Sequence, residues 1–459
     1  MSMKLKLNIE NMGNINNATI TIKPLTIIAG ENSTGKTFIT KTLYTILDSV
    51  YKNHFLFDFY SKFTALERSI STLYDNINPN TKDIKFYTKF EDYYKKINDN
   101  IFSDLVNRKF KEQDEFISKN KTIFNMINNL IDQYIKDRIS LKKFQKFLFE
   151  LDDIKIALHE FIYITENREE VIISNISDNL EEGFKKNFQI TNLDSLITQG
   201  QSKKLKIKLD NLGEIEIEHN QLINFSLKPD GIEEIQNVEN IVFFDSPVYI
   251  KIKKALENCR QIRLPILKDE DKYLKGYPQY LDKLYTFIDK DYIGHSEFDL
   301  ISQEIQEIIS GSFAVSKSGD IQYTDKNKNI MPLSLTAMGI SNIGLIDLLL
   351  RNNVINKGSF LIMDEPEVHL HPEWQVVLAN ILYKISKQGA NIIIATHSLD
   401  FLKAFEVLLK NENENAEDII AINKMPFEKE FSKLSEIDKV DTILDDLSRP
   451  YNKLYLQDI

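Results

Sequence analysis

Residues 30 to 37 read Gly30-Glu31-Asn32-Ser33-Thr34-Gly35-Lys36-Thr37, the spacing G-x-x-x-x-G-K-[ST]. No other segment narrows the fold as far, because such a loop works only between a buried strand and a helix. Both flanks are present. Pro24 precedes the apolar run Leu25-Thr26-Ile27-Ile28-Ala29, and Phe38 to Leu47 continues as a helix. The glycines permit close backbone approach, so the N–H groups from Gly30 through Gly35 and the helix N-terminus can cradle phosphates. Lys36 would bridge the β- and γ-phosphates as a point charge, and the Thr37 hydroxyl would hold Mg²⁺.

Phe360-Leu361-Ile362-Met363-Asp364-Glu365 supplies the second half of such a centre. Four apolar residues make a central strand and deliver two carboxylates at its C-terminal end, where open α/β sheets bind ligands. Asp364 would hold the hydration shell of the Mg²⁺, and Glu365 would orient or deprotonate the attacking water. A third buried strand, Ile392-Ile393-Ile394-Ala395, ends in Thr396-His397-Ser398, one strand–helix unit later. His397 is then placed to hydrogen-bond the γ-phosphate or the water.

The rest of the chain groups around these three strands. Two alternating strands, 4–9 and 18–22, precede the phosphate loop. Between 51 and 200 Pro79 is the sole proline and Gly183 and Gly200 the sole glycines, while apolar residues recur at helical spacing. Asn76 to Asn80 reads as a tip between helices. A hairpin is expected at 205–209 and 214–217, a buried strand at 241–244 ending in Asp245-Ser246-Pro247, helices over 250–310, and a hairpin from Phe313 through Ser318-Gly319-Asp320 to Tyr323. Helix 340–352, strand 359–363, helix 372–387, strand 391–395 and helix 399–410 follow, an alternation that implies a parallel sheet. From Asn411 onward the chain reads as charged and mainly helical.

The segments GENSTGKT, FLIMDEPEVHLHPEWQ and IIIATHS resemble the ABC-type ATPase heads of the SMC and OLD superfamily. More narrowly, they resemble the AAA family ATPases of bacterial phage-defence operons, such as the ATPase subunits of PARIS and Septu systems. The motif likeness covers residues 1–50 and 330–405; elsewhere it is one of layout. It implies an α/β P-loop NTPase head with a mixed, mainly parallel sheet and a large α-helical insertion. The implied division is an N-terminal lobe at 1–50, a helical insertion (an arm or short coiled coil) at 51–200, head strands at 201–250, a helical subdomain at 251–311, a C-terminal lobe at 312–405 and a helical tail at 406–459. In such families the residues matching Lys36, Thr37, Asp364, Glu365 and His397 serve ATP, Mg²⁺, base and switch roles, and Asn32 matches the usual E-N-x-x-G-K form of the loop.

The resemblance also implies a signature helix whose N-terminus meets the γ-phosphate held by a second subunit. The matching segment is Leu335-Thr336-Ala337-Met338-Gly339-Ile340-Ser341, with Met338 where the family has serine. Gly339 and the helix N-terminus could still bind phosphate, with Ser341 or Thr336 in place of the missing serine. His369 and His371 read as part of the loop after the base, because no further ligands have metal-site spacing.

The implied partners are a second copy of the chain, or a higher oligomer, and an effector protein such as a nuclease or toxin. About 57 residues follow Leu402, fewer than a separate catalytic domain usually has, so effector chemistry is expected elsewhere. The acidic positions Asp438, Asp441, Asp445 and Asp446 interleave with Ile437, Val440, Ile443 and Leu444 as an amphipathic helix. Two alternatives stand beside the ATPase: a nucleotide-gated scaffold with slow turnover, which Met338 favours, and an SMC-like DNA-repair ATPase.

Charge bears on the last of these. The chain of 459 residues has a net charge of −11, which argues against nucleic-acid binding over its whole surface. Residues 81–150 run against it, with 15 Lys/Arg to 11 Asp/Glu; a solvated helical face is the expectation, and a DNA-contacting arm the minority reading. One cysteine, Cys259, excludes an internal disulfide framework. No stretch approaches the roughly 18 apolar residues of a membrane span, and the N-terminus lacks a signal-peptide run, so the expected location is the cytoplasm.

Overall fold

The computed structural model describes residues 5–51, 54–76, 84–100, 110–140, 142, 148–200, 204–228, 238–253, 278–290, 292, 294–411 and 414–457. Cys259, the 76–80 tip beyond Asn76 and parts of the basic 81–150 stretch lie outside these residues. The chain divides into two compact units. One holds residues 1–49, 179–231 and 238–459; the other holds 50–178 and 232–237.

The larger unit is built on a parallel five-stranded sheet of the described residues, ordered β13-β3-β12-β11-β7. Its strands are β3 (Leu25–Gly30), β7 (Ile241–Phe244), β11 (Phe360–Asp364), β12 (Asn391–Thr396) and β13 (Ile420–Met425). Near-continuous apolar runs are what a sheet covered on both faces requires. All of β3 and β12 is buried, as are Phe360 to Met363. The register sets Ala395 beside both Ile28 of β3 and Asp364 of β11, so three strand ends carrying the polar motifs lie side by side. Helices α1 (Lys36–Tyr51), α11 (Pro372–Lys387) and α12 (Leu399–Asn411) follow β3, β11 and β12 in turn.

A second sheet of this unit is antiparallel, ordered β2-β1-β4-β5-β6 from β1 (Leu5–Met12), β2 (Ile15–Ile22), β4 (Lys204–Leu209), β5 (Gly213–Glu218) and β6 (Gln221–Leu227). The 205–217 hairpin is present and gains β6 as a third strand. The turn at Gly319 joins β8 (Gly311–Val315) to β9 (Ile321–Asp325), and β10 (Ile330–Pro332) completes a three-stranded sheet. Of the helices expected over 250–310, α7 (Pro247–Lys251), α8 (Gln279–Ile288) and α9 (Asp299–Ile309) are described. The signature segment opens α10 (Met338–Arg351), two residues earlier than its periodicity predicts.

The tail departs from expectation. Its helices α13 (Glu414–Ile419) and α14 (Glu436–Gln457) flank β13, which pairs with β3 along its whole length. Asn423 interrupts the apolar run of β13, yet it is buried: its Oδ1 accepts from Thr21 N–H at 2.8 Å and its Nδ2 donates to Thr21 O at 3.0 Å. The amphipathic helix is present as α14, with Val440 and Ile443 buried.

The smaller unit is helical, with α2 (His54–Asn76), α3 (Ile84–Asn100), α4 (Phe110–Ile139), α5 (Leu148–Glu166) and the start of α6 (Arg168–Phe188). Phe59, Phe63, Phe124 and Phe161 form its aromatic core, Phe59 and Phe161 lying 5.4 Å apart between ring centres. Among the described residues, no helix is long and apolar enough to cross a membrane.

Candidate active site

The loop between β3 and α1 is held in shape by its own chain. Gly35 sits at φ +97°, and a Cβ there would fall 2.5 Å from the Ile15 side chain, so only glycine lets the loop close against β2. Lys36 is only 5% exposed, and its Nζ donates to the carbonyls of Gly30 at 3.0 Å and Glu31 at 2.8 Å. Burial pulls its pKa down, while Glu365, Asp364 and Glu367 oppose that by favouring the charged form. Asn32 and Ser33 are exposed along the loop, and the Thr34 hydroxyl donates to Glu31 O at 2.8 Å.

Thr37 brings the loop to the second motif. Its exposed hydroxyl donates to Asp364 Oδ2 at 2.8 Å. The other oxygen of Asp364, Oδ1, is buried and has no hydrogen-bond partner among the described residues. A hydroxyl oxygen beside a carboxylate with one unused oxygen is the hard-donor chemistry that Mg²⁺ takes, so these residues fit that ion. Burial, followed by repulsion from Asp245 and Glu365, lifts the Asp364 carboxyl to about 6, against the lowering effects of Thr37 and Lys41.

Glu365 takes the left-handed conformation, φ +49°, immediately after β11. For a non-glycine residue this costs of order 1–3 kcal/mol and persists only where neighbours enforce it. Its N–H is fastened to Ala395 O at 2.9 Å, and its Oε1 lies 3.1 Å from His397 Nδ1. With the carboxylate ionised, Nδ1 carries the proton and donates. Glu365 and His397, 32 residues apart, are thus brought into contact by the parallel pairing of β11 with β12.

Three groups at this site were not singled out from sequence. Glu367 is 4% exposed, and its Oε1 accepts from the Thr396 hydroxyl at 2.5 Å and from His397 N–H at 3.1 Å. Burial raises its pKa. Asp245, at the end of β7, accepts from the Tyr280 hydroxyl at 2.9 Å, and burial raises its pKa as well. Lys41, one turn beyond Thr37, lies 5.6 Å from the centre of the Tyr280 ring. Their signal in sequence is weak because each reads as an ordinary surface residue until the fold brings it to these strand ends.

The signature segment is placed apart from these contacts. Ser341 is fully buried and its hydroxyl donates back to Ala337 O at 3.0 Å, a common way for a helical serine to satisfy itself. Thr336 is likewise buried and bonds to Pro332 O at 3.2 Å. Both hydroxyls are thus bonded within their own segment. Gly339 is half-buried on the first turn of α10, against Leu370 and Trp374. His371 caps α11, its Nδ1 accepting from Glu373 N–H at 3.4 Å. Among the described residues no group of three or more His, Cys, Asp or Glu is placed to hold a metal.

The family model described as "AAA ATPase domain" matches residues 3–402. No curated protein matches the chain. Among solved structures, the chain is similar to an Smc head bound to the C-terminal winged-helix domain of ScpA, at 10% identity over 87% of this chain and 90% of that one, TM-score 0.36. It is also similar to the SMC head domain from Thermotoga maritima, at 11% identity over 88% and 92%, TM-score 0.33.

Proposed function

The chain belongs to the AAA ATPase domain family, and from that premise we propose that it binds ATP with Mg²⁺ and hydrolyses it. The observation that carries this reading is the meeting of the first turn of α1 with the ends of two strands: Thr37 on Asp364 at 2.8 Å, and His397 on Glu365 at 3.1 Å. The loop from Gly30 to Gly35 and Lys36 receive the phosphates. Thr37 and Asp364 hold Mg²⁺, which when bound neutralises phosphate charge. Glu365 accepts a proton from the attacking water, and His397 holds Glu365 in place from the neighbouring strand.

Hydrolysis would serve as a switch for assembly. On this reading the start of α10, with half-buried Gly339, meets nucleotide held by a second copy, and the assembled state controls a nuclease or toxin partner in antiphage defence. The likeness of the three motif segments to phage-defence ATPases supports that last step. Single-turnover hydrolysis and nucleotide binding by Lys36→Ala and Glu365→Gln test the core. Lys36→Ala should lose binding by about 100-fold, since a buried charge-assisted contact is removed. Glu365→Gln should keep binding and lose roughly 10²–10³ in rate. Wild-type turnover by both variants would overturn the reading.

A second reading, a nucleotide-gated scaffold with slow turnover, is favoured by the inward-turned Ser341 and Thr336. It expects a partner to be retained with ATP bound and released with ADP. Partner retention that ignores nucleotide state would count against gating.

A further inference from the structure

Glu367 is a buried carboxyl that neither the Mg²⁺ donor pair nor the hydrolytic pair uses. Among the described residues its nearest basic group is the imidazole of His397, with Nδ1 at 3.9 Å. One oxygen, Oε1, accepts from two consecutive residues at the end of β12, the Thr396 hydroxyl and the His397 N–H. The other, Oε2, is buried and has no hydrogen-bond partner among the described residues. Burying a carboxyl is costly, so this arrangement is a poor device for stability alone.

Its geometric effect is specific. The turn after β11 and the end of β12 are laced twice, by Glu365 N–H on Ala395 O and by His397 N–H on Glu367 Oε1. Between those two fasteners lies the 3.1 Å contact of His397 with Glu365. The same turn is also held by α10, where buried Asn342 donates from Nδ2 to Pro366 O at 2.7 Å. The lacing continues outward, with Ser398 N–H on Thr396 Oγ1 at 3.1 Å and the Ser398 hydroxyl on Gln375 Oε1 at 2.5 Å.

We propose that Glu367 is a positioning residue for the hydrolytic pair: it fixes the His397 backbone relative to Glu365 and so sets the orientation of both side chains, without itself touching nucleotide. The proposal rests on the reading that Glu365 and His397 act on the attacking water. A displacement of about 1 Å at such a pair can cost of order 100-fold in rate, which sets the scale of the effect.

The test is steady-state ATP hydrolysis and nucleotide affinity for full-length Glu367→Ala, Glu367→Gln, Thr396→Val and Glu365→Gln. Glu367→Ala should lower kcat by about 30–100-fold with ATP affinity within about threefold of wild type. Glu367→Gln keeps an oxygen acceptor for both donors and should recover to within about fivefold of wild-type kcat. Thr396→Val, which removes one donor and keeps the strand filled, should be intermediate; it carries the test if Glu367→Ala does not fold. Adding His397→Ala to Glu367→Ala should cost little more, because both act through one contact.

Equal losses of kcat and affinity, failure of Glu367→Gln to recover, or multiplying effects in the double variant would each overturn the proposal. Wild-type turnover by Glu365→Gln would instead sink the reading beneath it. An inactive Glu365→Gln beside a fully active Glu367→Ala would sink the positioning role alone.

Discussion

The hydroxyl of Thr37, on the first turn of α1, donates to Asp364 at the end of β11 across 327 residues of sequence, at 2.8 Å. The two residues sit on strand–helix units separated by β12, so the contact exists only if β3, β12 and β11 take this order and this register. It uses one oxygen of Asp364 and leaves the other without a partner among the described residues.

That carboxyl gives a pH signature. Burial, then repulsion from Asp245 and Glu365, raises it to about 6, whereas an unfolded aspartate titrates near 3.9. The folded chain therefore takes up a proton between about 6 and 4 that the unfolded chain does not. Ionised Asp364 is a cost to the ligand-free fold at neutral pH, and that cost is relieved as pH falls through 6. Asp364→Asn should raise the ligand-free Tm by a few degrees at pH 7.5, with a gain that shrinks toward pH 4.5. Mg²⁺-dependent ATP binding, which needs the carboxylate, should weaken in wild type below about pH 6. Thermal melts and nucleotide titrations at both pH values check this; an equal gain in Tm at both would contradict it.

The strand β13 makes its own prediction. It pairs with β3 from Ile420 to Met425, and at Gly30 a Cβ would stand 2.0 Å from Met425 O. A backbone carbonyl in a paired strand cannot step aside as a side-chain tip can. Gly30→Ala should destabilise the larger unit by about 1–3 kcal/mol and disturb the phosphate loop with it. Ending the chain before Ile420 should leave β3 as a bare edge and give aggregated protein, read out by soluble yield and light scattering. A truncated chain that stays monomeric and melts like wild type would mean β13 is dispensable.

These cases show where the sequence was readable. Strands β3, β11 and β12 are continuous apolar runs with chemical motifs at their ends, and each end lies within one residue of where the run places it. Residues 420–425 carry the same kind of run, but Asn423 interrupts it, and only the fold shows that Thr21 satisfies the asparagine. Glu367 and Asp245 were missed for the opposite reason. An acidic residue in a turn reads as solvated, and its burial is decided by strands distant in sequence. Nor does the sequence show the local bonding of Ser341, whose hydroxyl folds back onto the carbonyl of Ala337, the N-cap residue of α10.

The inward turn of Ser341 is itself testable. Because its hydroxyl is already bonded and the residue is fully buried, Ser341→Ala should change ATP turnover by less than about twofold. Gly339, half-buried on the first turn, is the contrasting position. A Cβ there would make only ordinary contact at 3.6 Å with Leu370 and Trp374, so Gly339→Ala should fold normally. A large residue at 339 should impair any nucleotide-dependent assembly while leaving ATP binding by the isolated chain intact. Analytical ultracentrifugation with and without ATP separates the two effects, and a strong turnover defect in Ser341→Ala would give its hydroxyl a role at the site.

Asp245 should tune Asp364 from the next strand. It directly follows β7, which pairs with β11, and its charge is one of the groups that raise Asp364 after burial. Asp245→Asn removes that repulsion and keeps an oxygen that can accept from the Tyr280 hydroxyl, so the fold should be retained. With one like charge gone, the Asp364 carboxylate is easier to ionise. The pH midpoint of Mg²⁺-dependent ATP binding should therefore move below about 6, and affinity at pH 5.5 should rise relative to wild type. Lowering a neighbour's pKa is the direction that matters here, since a merely damaged site would lose affinity at every pH. A midpoint that stays in place, or moves up, would show that Asp245 and Asp364 do not share the field inferred from their positions.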